Sequence, residues 1–156
     1  MKKYLLIVIL LIILPITGCG KNNTNISPNY NELIITLERT ACFGTCPIYT
    51  LTIYGDGTVV YVGKDFVKIR GREKSIISQE KIEKLILEFD RANYFSLNDN
   101  YVEHTITDAQ SVITSITIDG KVKIIEHYHG DLSAPKALSN LEDKIDEIAN
   151  SDQWVK

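Results

Sequence analysis

Two cysteines four positions apart, Cys42 and Cys46, hold the most chemically loaded stretch of this chain, with Gly44 between them and Pro47 after them. Joined as a disulfide they close a very short loop, for which chain entropy gives about 2 kcal/mol. Gly44 would permit the tight turn and Pro47 would stiffen the exit. A redox-active pair is the weaker reading, because three residues rather than two separate the sulfurs and no βαβ pattern surrounds them. As thiolates, the pair could instead join His127 and His129 in a set of four ligands that zinc accepts. Two unpaired structural thiols complete the alternatives. His127 and His129 lie two apart in an alternating run, so a strand would send both to one face. Lys121 and Lys123 share that face, and a solvated strand surface is the plainer reading of the pair.

Other residues could do chemistry but lack a complete set. His104 and Asp108, with Asp99 nearby, could form an imidazole–carboxylate couple for general base work. No Gly-x-Ser-x-Gly elbow or other nucleophile motif accompanies them, and aspartates in such loops usually accept hydrogen bonds in turns. Glu126 falls among the apolar residues Val122, Ile124 and Tyr128 at alternate positions. A buried carboxylate needs a partner, for which Arg39 and Arg70 are the candidates. Arg39 has the competing role of bonding carbonyls of the cysteine loop. Tyr49, Tyr54, Tyr61, Tyr94, Tyr101 and Tyr128 read as core and rim packing, with glycan or peptide binding as the sharper alternative.

These residues need elements to position them. Leu33–Glu38 is a β-branched run and a strand. Tyr49, Leu51 and Ile53 alternate with Thr50, Thr52 and Tyr54, the period of a half-buried strand. Gly55-Asp56-Gly57 makes a hairpin turn, Thr58–Val62 returns, and Gly63-Lys64-Asp65 turns again into Phe66–Ile69 as a third strand of a meander. Gly71–Ile77 is ambiguous and could extend a further strand. Ser78 is an expected N-cap. Ile82, Leu85, Ile86 and Phe89 then repeat at helical spacing as far as Ala92-Asn93. Tyr94–Gln110 has no period and reads as a long loop. Val112 to Ile118, Asp119-Gly120 and Lys121 to His129 form a hairpin. A second helix starts near Ser133-Ala134-Pro135 and carries Leu138, Leu141, Ile145 and Ile148 on one stripe, with Trp154 in a tail packed back on the domain.

The amino terminus reads differently. Lys2 and Lys3 precede an apolar run from Tyr4 to Ile13 that is too short for a membrane span of about 20 apolar residues and fits a secretory signal. Ile16-Thr17-Gly18-Cys19 resembles the bacterial lipobox. That resemblance implies lipid transfer to the Cys19 thiol, cleavage after Gly18 and acylation of the new amino terminus. Of the three cysteines, Cys19 would thereby be used, and the remaining two sit in an exported compartment where pairing is favoured. Gly20–Asn31 is polar and aperiodic, a tether. The expected organisation is therefore a signal peptide over 1–18, a lipidated terminus and tether over 19–31, and a single domain over 32–156. The formal charge of −3 over 156 residues becomes more negative once Lys2 and Lys3 leave. No basic surplus remains for nucleic acid, whose binding requires phosphate neutralisation.

Strands in two batches, each followed by a helix, give an α+β class. We expect a mainly antiparallel sheet of five to six strands, a meander plus a hairpin, with two helices packed on one face. Arg39, Cys42-Phe43-Gly44-x-Cys46-Pro47-x-Tyr49, the Asp56-Gly57 turn, Thr107-Asp108 and the Pro135–Trp154 segment resemble a family of uncharacterised bacterial envelope proteins, many of them lipoproteins. The resemblance covers most of the chain from Leu33 onward and implies a location and a fold but no reaction. The expected function is a lipid-anchored, non-enzymatic binding or structural module of the cell envelope, facing the periplasm or cell exterior. No cofactor is expected. The expected partners are the membrane, through the lipid, and an envelope protein or small ligand. Polar roles fall to Arg39, Asp108 and Glu126. The alternative is a metal-binding or redox protein using Cys42, Cys46, His127 and His129.

Overall fold

The computed structural model describes residues 29–103 and 105–156. Residues 1–28, with the expected signal and Cys19, and His104 lie outside the described residues. The domain is α+β: seven strands in the order β4-β3-β2-β1-β6-β7-β5 form one mostly antiparallel sheet. The strands are β1 (Ile34–Arg39), β2 (Ile48–Tyr54), β3 (Thr58–Asp65), β4 (Gly71–Ile76), β5 (Asn100–Tyr101), β6 (Ser111–Ile118) and β7 (Lys121–Tyr128). Only β5 and β7 run parallel. The helices are α1 (Gln79–Arg91), α2 (Lys136–Ala149) and the short α3 (Asp152–Val155).

Alternation builds the core. Ile35 and Leu37 of β1, Leu51 and Ile53 of β2, Val59 and Tyr61 of β3, and Val112 and Ile116 of β6 are all buried. They form one cluster with Ile82, Leu85 and Phe89 of α1 and Leu138, Leu141 and Ile145 of α2. Truncating any fully buried leucine here to alanine costs about 2–5 kcal/mol. Helix α1 opens on Ser78, whose hydroxyl accepts from the Lys81 amide as expected of an N-cap. Trp154 does pack back: its indole stacks on Tyr61 with centroids 5.0 Å apart, and its carbonyl accepts from the Ile69 amide at 2.9 Å.

The meander differs from the expected one. The segment Gly63-Lys64-Asp65 continues β3, and Phe66–Ile69 is the turn, with Phe66 at φ 51. The third meander strand is β4, which pairs Gly71 with Gly63. Strand β4 is an edge strand with mostly exposed polar side chains, so it has no apolar alternation to announce it. Gly63 is required where it stands: a Cβ there would fall 2.2 Å from the Ile69 carbonyl oxygen and 2.6 Å from the Tyr61 hydroxyl. The short β5, inside the expected long loop, brings the sheet to seven strands against the five to six expected. At the amino-terminal side, Asn29 and Tyr30 belong to the folded body. The Asn29 amide donates to Asp119 at 3.0 Å, and a 3-10 turn spans Tyr30–Glu32.

One register row fixes everything that follows. Gly63, Tyr49, Arg39, Val112 and His127 lie side by side across five neighbouring strands. Residues paired this way point to the same face, and α2 contributes its own polar side chains to that row.

Candidate functional site

Two polar groups sit on the row, and each takes its carboxylate from α2. At one end, the Arg39 Nε donates to Asp146 Oδ2 at 2.8 Å and to the Tyr49 hydroxyl at 3.1 Å. Tyr49 in turn donates to Asp146 Oδ1 at 2.7 Å, and the Ser151 hydroxyl adds a bond of 2.6 Å to the same oxygen. Asp143 stands 3.5 Å from the guanidinium at the exposed rim. Burial opposes the Arg39 charge, but Asp146 and the hydrogen bonds more than compensate, so its pKa lies above the usual arginine range. Burial, then the Asp146 charge, raises the Tyr49 phenol well above its ordinary value.

This group floors an open cleft of about 540 Å³, walled by Pro47, Gln110, Asn150, Ser151 and Val155. Its charged lining consists of Asp143, Asp146, Glu147 and Asp152 with Arg39 and Lys156, and Glu147 is paired with Lys84 and Lys144. The α2 carboxyl end shapes one wall, because Asn150 adopts the left-handed conformation and caps the helix.

At the other end, Glu142 bridges two imidazoles. Its Oε1 lies 2.7 Å from His127 Nδ1 and its Oε2 lies 2.8 Å from His129 Nε2. The Glu142 side chain is wholly buried and that of His127 nearly so, while His129 is 34% exposed. Burial pushes the Glu142 carboxyl upward, yet the hydrogen bonds from both histidines outweigh it and leave the pKa below the ordinary glutamate value. Tyr101 meets the His127 ring edge-on at 6.5 Å. Nearby, buried Asp131 accepts from the Ser133 amide and hydroxyl and from the Glu103 amide, which fixes the connection between β7 and α2.

The two cysteines are bonded to each other, with Cα atoms 5.8 Å apart. Of the four residues considered together for zinc, His127 and His129 converge, but their third partner is Glu142 rather than a sulfur. Arg39 does not bond the carbonyls of the cysteine loop; Gln110 Nε2 does, reaching Thr40 at 2.6 Å and Pro47 at 2.8 Å. Glu126 is not paired with Arg39 or Arg70, which bond Asp146 and Asp65 respectively. The faces of β7 are the reverse of those expected: Val122 and Ile124 are exposed, while Ile125 and His127 are buried. Lys123 can share the inner row because its amine reaches the Leu97 carbonyl and Asp99 at the edge. Asp108, at φ 66, accepts from Thr107 and gives its carbonyl to the Phe43 amide. Of the tyrosines, Tyr49, Tyr61, Tyr94, Tyr101 and Tyr128 are buried.

Glu142 and Asp146 went unsuspected from sequence, although a signal existed. Position 142 follows Leu138 by one helical turn and precedes Ile145 by three residues, so it falls on the apolar stripe.

Residues 33–149 match the family model of DUF6438, a domain of unknown function, and the chain belongs to that family. No curated protein matches it.

Proposed function

We propose that this DUF6438 protein is a lipid-anchored binding module of the bacterial cell envelope, and that its ligand is a small polar molecule or peptide carrying a cationic group. The single observation that supports binding is the cleft over Arg39, Tyr49 and Asp146, whose volume lies in the range of small-ligand sites. Asp143 and Asp152, both largely exposed at its rim, are the carboxylates that a positively charged occupant would meet. The Lys156–Asp152 pair at the rim is largely exposed, and such pairs are worth under about 1 kcal/mol, so an incoming cation can replace the lysine at little cost. Arg39 and Asp146 would serve as the rigid floor.

Anchoring rests on Lys2, Lys3, the apolar run and Ile16-Thr17-Gly18-Cys19. Removal of residues 1–18 and acylation at Cys19 would leave 19–28 as the spacer ahead of a folded body that begins at Asn29, with a lipid attachment to the membrane that strengthens with each buried methylene. Among the described residues no helix is long and apolar enough to cross a membrane.

Two measurements test this reading. Cells expressing the full chain and fed an alkyne-tagged fatty acid should label it, and Cys19→Ala should abolish the label; an unlabelled wild type refutes anchoring. Titration with 1,4-diaminobutane, followed by backbone amide shifts, should move Gln110, Asn150 and Ser151. Shifts confined to other surfaces would refute the cleft as the ligand site.

A further inference from the structure

We infer that His127, His129 and Glu142 form a binding site for one divalent transition-metal ion of the zinc type. The inference stands apart from the cleft and from the lipid. Three observations carry it.

First, the donor set converges. One ligand atom from each of His127, His129 and Glu142 lies within 4.8 Å of the other two. Two imidazoles and a carboxylate are ligands that zinc takes at roughly 2.0–2.2 Å, and three of them leave a fourth position for water. The present 2.7 and 2.8 Å contacts are hydrogen bonds, so the ion replaces the two N–H donors. A charged imidazole gives its proton to solvent, and a neutral one carries its proton on the other ring nitrogen.

Second, the buried cluster as a whole is not what stability alone would select. Glu142 occupies the apolar stripe of α2 among Leu138, Leu141 and Ile145, and it is fully buried. Well-packed apolar side chains commonly equal or surpass a buried charged cluster in stability. A metal ion is a partner that justifies a dehydrated carboxylate and two histidines aimed at it.

Third, the site is rigid on the inside and open on the outside. His127 sits in a strand paired on both edges, with β6 and β5, and Glu142 is in the middle of a helix. His129 is partly exposed, which gives an ion its way in. Nitrogen donors select zinc and its transition-series neighbours over magnesium and calcium, which prefer oxygen.

The test uses the full chain without a polyhistidine tag, solubilised in detergent and stripped by chelator. Titration with Zn²⁺ alone, in competition with a chromophoric chelator, should give about one ion per chain, with no competition from Mg²⁺. His129→Ala preserves the His127–Glu142 bond and hence the fold, verified by circular dichroism, and should weaken zinc binding at least about 100-fold. Co²⁺ should produce visible absorption of a low-coordinate nitrogen–oxygen site, lost in His129→Ala. Cys42→Ser/Cys46→Ser should leave both signals intact. Sub-stoichiometric zinc, unchanged affinity in His129→Ala, or loss of binding in the cysteine variant would each overturn the site.

Discussion

Helix α2 holds two carboxylates one turn apart, and the sheet answers them with different cations. Asp146 faces Arg39, whose charge is permanent, whereas Glu142 faces His127 and His129, whose charges are conditional. Arg39 and His127 come from the same register row, and His129 lies two residues beyond His127. The contrast lies in what each end can tolerate. The arginine end cannot shed its charge when its partner is lost. The histidine end can, by releasing protons or by exchanging them for an ion. The first suits a fixed floor beneath a cleft, and the second suits a site whose occupancy changes.

Breaking the arginine end should therefore have the larger effect. Asp146→Ala leaves a guanidinium that is only 13% exposed with the exposed Asp143, at 3.5 Å, as its remaining carboxylate and removes the acceptor of Tyr49 and Ser151, so urea denaturation should report a loss of about 3–5 kcal/mol. A loss as small as that of an ordinary surface change would show that solvent reaches Arg39 and that the floor is not rigid. Glu142→Leu should cost less, about 1–3 kcal/mol, because the two imidazoles are left without an acceptor but can remain neutral. Equal costs at the two ends would erase the distinction.

Acid sharpens it further. The Glu142 carboxyl is held below its ordinary value in the folded protein. A depressed folded pKa means that the unfolded chain binds the extra proton in that window, so stability is present above the ordinary glutamate value and is lost as pH falls through the folded one. In chelator-treated protein the denaturation midpoint should drop across the acidic carboxylate range, and Glu142→Leu should flatten that limb. The smallest effect is expected at Tyr49→Phe, about 1 kcal/mol, since Ser151 still donates to Asp146. The same variant should remove one of the tyrosines that ionise late in an alkaline absorbance titration.

What the sequence disclosed follows the strength of local patterning. The hairpin of β6 and β7 was legible because runs rich in β-branched residues flank the Asp119-Gly120 turn on both sides, and α1 because Ser78 and the apolar stripe agree. Strand β4 was not, since an edge strand whose side chains face water carries no period. The faces of β7 were inverted because Val122 and Ile124 look like core residues, while Lys123 and His127 owe their inner positions to partners outside the strand. Arg39, His127 and His129 stood out by residue type. Their carboxylates did not, because a partner more than ten residues away is fixed by the docking of a helix on a sheet rather than by spacing along the chain.

The direction of β1 has a bearing on how the molecule is mounted. Its first residue, Ile34, lies level with Tyr54 and Thr117 beside the two hairpin bends, and its last, Arg39, lies level with Tyr49 and Val112. Five extended steps separate these levels by roughly 17 Å. The described residues begin at the pole of the bends, where Asn29 is tied to Asp119. A fatty-acyl tether on that side would keep the bends toward the bilayer and hold the cystine loop, the cleft and the imidazoles on the far pole, turned away from the lipid and toward whatever diffuses past.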